Sequence, residues 1–461
     1  MKRIVLYIAM LYLVGQARAQ LVTYPPAENI TRENPNIYPS EQYIVTLEQD
    51  DRVIQDFVYC MSSMHTTNYS ETTSWVNFSF EGKVKVTVEC LQSKIDFAQI
   101  QPLNKEVEPA ILSAGKIEFL ITEPGQYSVE FEQGSIIKHP LLIFANPLEE
   151  MVPDKSDEHV VYFGPGFHKI GDRLELKSGQ HLYLAGGAYV KGQIYAEDVE
   201  NVKISGRGII SGEDYMPRTH EHMIRMRNAN QLKVEGITMI HSPRYMIAIN
   251  GDDHYFNNIK MMGWWFSTDG ISAGTNTLIE NCFFKVNDDA IKLYKSNTTV
   301  RKCVIWQMEN GAPFMISWNG RSDFGDCHVY DIDVIRVEHH WDNENLAVFC
   351  AVHGGQADIS NFLIEDIRIY NSKWRMFHLV TRPNRWGKWN PDKGSLSDFH
   401  FKNITYFGSQ QIPSLIMGHD EYHPIHDIQF ENIMIDGQVV QSFKRDQFIV
   451  DEEFTQNISI K

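Results

Sequence analysis

A short degenerate unit recurs through the second part of the chain and constrains its fold more than any other feature. The unit pairs apolar residues around one or two polar ones, as in Ile279-Glu280-Asn281-Cys282. Successive central copies are 22, 23 and 21 residues apart, and the later copies are 29 to 37 residues apart. Copies begin at Ile204, Val234, Phe256, Ile279, Val300, Val329, Ile364, Phe401 and Phe430. One constant strand per repeat, with connections of variable length, is typical of a right-handed parallel β-helix.

The repeated polar residue, often Asn, is expected to stack as a ladder at one corner of the coils. Two other repeat architectures do not fit. The leucine spacing of a leucine-rich solenoid is missing, and no blade signature of a propeller is present.

The first part of the chain has a different texture. Runs such as Trp75–Phe80 and Val84–Val88 alternate in character, and turn residues separate them. This period of two predicts short antiparallel strands of a β-sandwich. We therefore expect an all-β chain, with a β-sandwich over residues 20–153 and a right-handed parallel β-helix over 154–461.

Residues 1–19 have the pattern of a secretory signal peptide: Lys2 and Arg3, an apolar run from Ile4 to Val14, and small residues before Gln20. The apolar run is too short to span a bilayer, and no later segment is long and apolar enough. A secreted or periplasmic protein is expected, without an integral membrane segment and as a monomer.

The six cysteines form no CxxC pair, so they give no support for a zinc site. Cys60 and Cys90 could be bridged in an oxidising compartment. Cys282 and Cys303 occupy the same place in successive repeats, and we expect them to stack inside the coil as small apolar residues.

Three carboxylates occur in two short segments that resemble each other, Asp269-Gly270-Ile271 and Asp289-Ala290-Ile291, with Asp288 directly before the second. The offset of 20 residues is about one coil, which predicts that Asp269 and Asp289 stack on adjacent coils. Asp-Gly and Asp-Asp are also common turn residues. Their repetition in register favours general acid/base catalysis, because crowded acids raise the pKa of at least one of them. Lys292 follows on the same strand, where it could tune these acids, contact a sugar hydroxyl or be an ordinary surface lysine.

The formal net charge of −17 argues against nucleic acid as a partner. It also disfavours a polyanionic substrate unless local Lys and Arg counter it. Aromatic residues make up 12% of the chain, and aromatic rings commonly stack on sugars. These observations favour a largely neutral polysaccharide or oligosaccharide as the substrate.

Four tryptophans flank the carboxylate segments and are candidate sugar-stacking residues: Trp264, Trp265, Trp306 and Trp318. The alternative for each is packing in the core. A long insertion between coils, Arg382–Trp389, could form a cleft wall or an ordinary exposed loop. A second insertion contains His339–Asp342, whose histidine pair gives a weak signal for a metal. Adjacent histidines rarely share one metal, so the second insertion favours a solvated loop, and we predict no metal site and no cofactor.

The motif Thr268-Asp269-Gly270, followed by Asp288-Asp289-Ala290-Ile291-Lys292, resembles glycoside hydrolase family 49, the dextranases and isopullulanases. The resemblance covers nearly the whole chain after residue 20, because that family also has a β-sandwich before its β-helix. It implies that Asp288 is the general acid and that Asp269 and Asp289 position and deprotonate a water. Family 28 polygalacturonases are distant relatives, but their Gly-His-Gly and Arg-Ile-Lys motifs do not follow Asp289.

The predicted function is an inverting glycoside hydrolase that cleaves an α-glucan of the dextran type without a cofactor. Inversion requires an acid and a base roughly 6.5–9.5 Å apart, with a water between the base and the sugar. Three alternatives stay open: a polygalacturonase-like pectin hydrolase, a polysaccharide lyase and a non-catalytic glycan-binding solenoid.

Overall fold

A computed structural model of the protein describes residues 20–461 with the exception of 64–69, 135, 342 and 409. The predicted signal peptide, residues 1–19, therefore lies outside the described residues. Among those described, the only helical element is a 3-10 turn at Leu103–Lys105. No described helix is long and apolar enough to cross a membrane.

The first strands of the chain build two sheets that face each other. One has the order β2-β5-β6-β12-β11-β8, with β1 also paired to β6, and the other has the order β4-β3-β7-β10-β9. Val45, Val86 and Ile143 belong to the apolar core between them. The strands are β1 (Gln20–Thr23), β2 (Tyr38–Pro39), β3 (Tyr43–Gln49), β4 (Arg52–Asp56), β5 (Tyr59–Ser62), β6 (Thr72–Glu81), β7 (Val84–Cys90), β8 (Gln99–Gln101), β9 (Ala110–Ser113), β10 (Lys116–Ile121), β11 (Gly125–Glu130) and β12 (Leu141–Asn146).

The rest of the chain winds into one sheet of 29 strands, in which the strands of a coil pair in parallel with their equivalents in the next coil, except that β39 pairs antiparallel with β38. These strands are β13 (Val160–Phe163), β14 (Gly166–Glu175), β15 (His181–Leu184), β16 (Ala188–Glu200), β17 (Lys203–Gly206), β18 (Ile209–Ser211), β19 (Ile224–Asn230), β20 (Lys233–Glu235), β21 (Thr238–Ile240), β22 (Ile247–Ile249), β23 (Asp252–Asn257), β24 (Lys260–Met262), β25 (Ile271–Ser272), β26 (Thr275–Glu280), β27 (Phe283–Val286), β28 (Ile291–Lys292), β29 (Thr298–Arg301), β30 (Val304–Gln307), β31 (Phe314–Ser317), β32 (Phe324–Val337), β33 (Phe349–His353), β34 (Asp358–Ile369), β35 (Phe377–Thr381), β36 (Ser395–Tyr406), β37 (Ser414–Met417), β38 (Ile425–Ile435), β39 (Gln438–Val439), β40 (Phe448–Val450) and β41 (Thr455–Ile460).

The predicted fold class, a β-sandwich followed by a parallel β-helix, is confirmed. The two sandwich sheets end at Asn146 and the large sheet begins at Val160, so the division at residue 153 stays a prediction within that gap.

The coils turn at residues with left-handed backbone, and most of these residues are Asn or Asp. Asn281, Asp366 and Asn403 have φ of 54°, 57° and 51°. Short polar side chains tolerate this region better than other residues do. Asn403 Nδ2 donates to Asp366 Oδ1 at 2.9 Å, and Asn432 Nδ2 donates to Asn403 Oδ1 at 2.8 Å. The expected ladder at the coil corner is therefore present.

The sandwich packs directly against the coils, so its sheet that contains β6 and β12 is buried on both faces. Trp75 and Phe144 point away from the sandwich core and share an apolar cluster with Trp264, Phe283 and Trp306 of the β-helix. This contact includes β24 and β27, the strands just before the two carboxylate segments, and β30 of the following coil. The sandwich thus supports the part of the β-helix that carries the candidate site.

The six cysteines are buried and unbonded. Cys60 and Cys90 lie on β5 and β7 of different sheets, and the bridge considered from the sequence is not formed. Cys282 and Cys303 lie in the coil core, as expected.

Candidate active site

The candidate site lies where β25 and β28 follow a turn. Ile271 pairs with Ile291, and the preceding β22 pairs with β25 through Ile247 and Ile271. The residues two positions before these isoleucines, Tyr245, Asp269 and Asp289, consequently form one column. Asp269 and Asp289 therefore stack on adjacent coils, as the 20-residue offset predicts.

Two glycines allow the backbones of these turns to approach one another. A Cβ on Gly270 would lie 2.1 Å from the Ala290 carbonyl oxygen. A Cβ on Gly311 would lie 2.2 Å from the carbonyl carbon of Asp288, and Gly311 has φ of 81°. Any side chain at these positions would push the carboxylate turns apart.

A buried asparagine fixes the turn that carries Asp288 and Asp289. Asn287 Nδ2 donates to the Trp264 carbonyl at 2.7 Å, and the Asn310 amide donates to Asn287 Oδ1 at 3.0 Å. Gln307 Nε2 donates to the Asp288 carbonyl at 3.0 Å. Three successive coils are thereby linked behind the carboxylates, which limits their freedom to move apart.

Lys292 lies between two of the three acids. Its Nζ is 2.8 Å from Asp269 Oδ2 and contacts Asp289 Oδ2 directly, and all three side chains are almost completely buried. The rings of Tyr245 and Tyr294 flank the ammonium at 5.0 and 5.2 Å. Asp289 also accepts a hydrogen bond from the Ala312 amide at 3.1 Å. The surface-lysine alternative for Lys292 is therefore wrong.

Asp288 stands apart from this arrangement. It is more exposed than Asp269 and Asp289, and none of the described ion pairs includes it. Burial, together with the Asp269 and Asp289 carboxylates, raises the pKa of Asp288 well above its usual range. Asp288 is therefore the carboxyl group of the cluster that has the strongest tendency to hold a proton.

Burial also raises the pKa of Asp269, to about 7, although the Lys292 ammonium opposes this rise. For Lys292 itself, burial disfavours the charged form, but the Asp269 and Asp289 carboxylates outweigh it and raise the pKa well above its usual range. The cluster thus combines a carboxyl group that favours its protonated form, a charged ammonium and a second carboxyl group, Asp269, that titrates near neutral pH.

The three acids lie close together, because stacking on adjacent coils brings the carboxylates near one another. Each offers an oxygen within 4.8 Å of an oxygen of the others. The separation of roughly 6.5–9.5 Å expected for an inverting pair refers to whole carboxyl groups and stays a prediction. The same spacing could hold a cation, although Lys292 already neutralises two of the three.

The carboxylates open into a cleft of about 750 Å³. Both insertions contribute to it, since Trp341 comes from His339–Asp342 and Arg385 and Trp386 come from Arg382–Trp389, and Asn343 lies just after the first of these. Asp342 lies outside the described residues. Trp318 also lines the cleft, and its ring meets that of Trp386 edge-on at 6.1 Å. The insertions are thus cleft walls, and His339 is buried with its Nε2 against the Gly311 carbonyl at 2.7 Å.

The four tryptophans predicted to stack on sugars lie in different environments. Trp318 lines the cleft, whereas half-buried Trp265 is not among its lining residues. The sugar-stacking prediction is wrong for Trp264 and Trp306, which are 1% and 0% exposed beneath the sandwich. Their ring centroids lie 4.9 and 4.3 Å from Nζ of Lys285, which lies on the coil between them. They pack at the contact between the two parts of the fold because β24 and β30 face the sandwich there.

Sequence reasoning missed several cleft residues: Arg218, His222, Arg244, Tyr245, Phe266, Tyr294, Asn310, Asn319 and Asn345. Tyr245 could have been found by extending the carboxylate column one coil back. Arg218 and His222 lie in a long connection that has no repeat signal, so only the three-dimensional structure brings them to the site.

Comparisons with known proteins agree with this architecture. No family model matches the chain. A dextranase from Arthrobacter sp. (strain CB-8) is 25% identical over 358 residues, which are 59% of this chain and 56% of the dextranase. An isopullulanase from Aspergillus niger is 24% identical over 415 residues, 74% of this chain and 72% of the isopullulanase.

The predicted resemblance to glycoside hydrolase family 49 is confirmed. The solved structure of Dex49A from Penicillium minioluteum superimposes on this chain with a TM-score of 0.75 and 19% sequence identity. The match covers 95% of this chain and 96% of the Dex49A chain, which shows that the two share a fold. This chain spans little more than half the length of the Arthrobacter dextranase that it matches.

Proposed function

We propose that the protein is an inverting glycoside hydrolase that cleaves an α-linked glycan of the dextran type. The observation that carries the proposal is the column of Asp269 and Asp289 with Asp288 beside it, open to a cleft lined by aromatic rings. The similarity to a dextranase and an isopullulanase supports an α-glucan as the substrate.

In this proposal Asp288 is the general acid. Its pKa is raised by burial and by two neighbouring carboxylates, and no described cation pairs with it. A protonated carboxyl group can donate to the glycosidic oxygen as the bond to the anomeric carbon breaks. After that transfer Asp288 is ionised, and the leaving sugar carries the new hydroxyl group.

Asp269 and Asp289 then hold and deprotonate the attacking water. The Lys292 ammonium contacts one oxygen of each carboxylate and opposes the protonation of Asp269 that burial favours. The water oxygen forms the new bond to the anomeric carbon, and one proton of the water passes to a carboxylate of the pair. Support for inversion comes from the family resemblance.

The decisive experiment is a panel of polysaccharides, with dextran first, in which reducing-end release and ultraviolet absorbance are followed together. We expect reducing ends without the ultraviolet absorbance of unsaturated products. Asp288→Asn should lose this activity, and Asp50→Asn serves as the matched control because Asp50 lies in an exposed turn of the sandwich with φ of 51°. Unsaturated products would identify a lyase, and binding without cleavage would identify a glycan-binding solenoid.

The stereochemical part is tested separately by NMR of the first-formed product. Inversion predicts the β-anomer from an α-linked glycan before mutarotation. Retention of the α-configuration would overturn the assignment of Asp269 and Asp289 to the water, because one of them would then act as a nucleophile.

A further inference from the structure

Two arginines at one end of the cleft have no acidic partner. Arg218 and Arg244 both line the cleft, and neither forms an ion pair with any described Asp or Glu. The chain as a whole carries a net charge of −17, so unpaired guanidinium groups in its cleft run against its composition. The net charge disfavours an anionic substrate only where local Lys and Arg do not counter it, and these two arginines are such local cations.

The catalytic acids do not need these arginines. Lys292 already contacts both Asp269 and Asp289, and the pKa of Asp288 favours its neutral form. The two guanidinium charges therefore remain as an excess of positive charge at this end of the cleft.

Arg218 has a strained backbone conformation, and a hydrogen bond holds its side chain. Arg218 has φ of 64°, a left-handed conformation that is uncommon for a long side chain. Its amide donates to the Pro243 carbonyl at 2.9 Å, and its Nη2 donates to the Phe266 carbonyl at 2.9 Å. Strain that the surrounding structure maintains is frequently found at functional sites.

Arg244 is held next to Arg218. Its Nη2 donates to the Arg218 carbonyl at 2.7 Å, so two cationic side chains are positioned by the same loop. Arg244 Nε is buried and has no hydrogen-bond partner. Leaving a buried charged donor unpaired costs free energy, unless a ligand supplies an acceptor.

His222 adds a neutral donor or acceptor at the same place. Its ring packs against Tyr245 with centroids 4.4 Å apart, and its Nδ1 is buried without a partner. Burial, and then the nearby Arg225 and Arg244, lower the pKa of His222 to about 4, so that the ring is uncharged at neutral pH.

We propose that Arg218 and Arg244, with His222 beside them, form an anion-binding subsite for a carboxylate or sulfate group carried by the glycan. Guanidinium groups match the geometry of such oxyanions, whereas the neutral hydroxyls of a sugar can be bound by Asn310, Asn343 and Asn345 in the same cleft. This inference rests on the proposed function and narrows its substrate class to α-linked glycans that carry acidic substituents.

The test measures binding in the Asp288→Asn variant, so that hydrolysis does not interfere. The probes are dextran, carboxymethyl-dextran and dextran sulfate, and the quenching of tryptophan fluorescence reports binding because Trp318 and Trp386 line the cleft. At low salt we expect at least one anionic probe to bind about tenfold or more tightly than dextran. The preference should shrink as added salt screens the charges. The carboxymethyl and sulfate arms show which oxyanion the subsite prefers.

Adding Arg218→Gln or Arg244→Gln to Asp288→Asn should bring the ratio of affinities close to one, and Arg32→Gln should leave it unchanged. Arg32 is the matched control because it is exposed on the sandwich, in a loose ion pair with Glu41. Circular dichroism checks that each variant is folded, and exposed Arg218 serves if Arg244→Gln does not fold. Equal or tighter binding of dextran, or a preference that survives both substitutions, would overturn the subsite. Absence of reducing-end release by the unsubstituted protein would instead overturn the proposed function and leave the affinity ratio as a valid test.

Discussion

Replacing Lys292 with methionine should change both the pH dependence and the stability of the protein. The ammonium is 2.8 Å from Asp269 Oδ2. At an effective dielectric constant of about 20, a pair at that distance attracts by about 6 kcal/mol before desolvation is counted. Because loss of one partner leaves a buried charge uncompensated, we expect a net loss of about 3–5 kcal/mol in the free energy of unfolding. Methionine keeps most of the volume and removes the charge.

The same substitution should move the acidic limb of activity. Asp269 already has a pKa of about 7 with Lys292 present. Removing an adjacent opposite charge raises the pKa of a carboxyl group by about one to three pH units. Asp269 would then be protonated at neutral pH, and the water would lose one of the two carboxylates that hold it. We expect turnover at neutral pH to fall by at least tenfold and the acidic limb to move upward by one pH unit or more, with Lys292→Arg intermediate because it keeps the charge.

The sign of the stability change with pH follows from the same carboxyl group. Asp269 titrates near pH 4 in the unfolded chain and near pH 7 in the folded protein, so the folded state binds more protons in between. Its contribution to stability is therefore lost as the pH rises through this window, and in Lys292→Met the loss should extend to higher pH. Urea unfolding at several pH values and turnover against pH measure both effects. An unchanged acidic limb in a folded Lys292→Met variant would refute the reasoning.

Two further predictions concern the acids and the tryptophans. Asp288→Asn should lower turnover of ordinary glycosides by about 10²–10⁴-fold but should hurt much less with a glycosyl fluoride, whose leaving group needs no proton. Asp269→Asn and Asp289→Asn should damage the hydrolysis of both substrates, and rescue of either by the fluoride would contradict their roles. Trp386→Ala should raise KM and leave the melting temperature unchanged, because Trp386 is 61% exposed on the cleft wall. Trp306→Ala should instead lower stability by about 3–5 kcal/mol as a buried aromatic, and a change in KM without loss of stability would contradict its assignment to the core.

The sequence predicts the fold well where the signal is periodic. The unit at Ile279 repeats once per coil, so the coils, their corner ladder and the stacking of Asp269 on Asp289 all follow from spacing. The positions of Trp264 and Trp306 do not follow, because a tryptophan on a coil strand looks the same whether it faces a sugar or the sandwich. Arg218 reaches the cleft through a connection with no periodicity, and its role depends on contacts that spacing cannot reveal.

The contact between the sandwich and the coils has a consequence for a chain that lacks its N-terminal part. The outer face of the sandwich sheet and strands β24, β27 and β30 share one apolar cluster, in which Lys285 is enclosed between two indole rings. Each part has an apolar surface there that only the other part covers. Removing the N-terminal part would therefore expose this apolar face of the coils to water. We expect a truncated chain that begins at β13 to lose solubility, because the strands beneath the carboxylate turns bury their side chains against the sandwich.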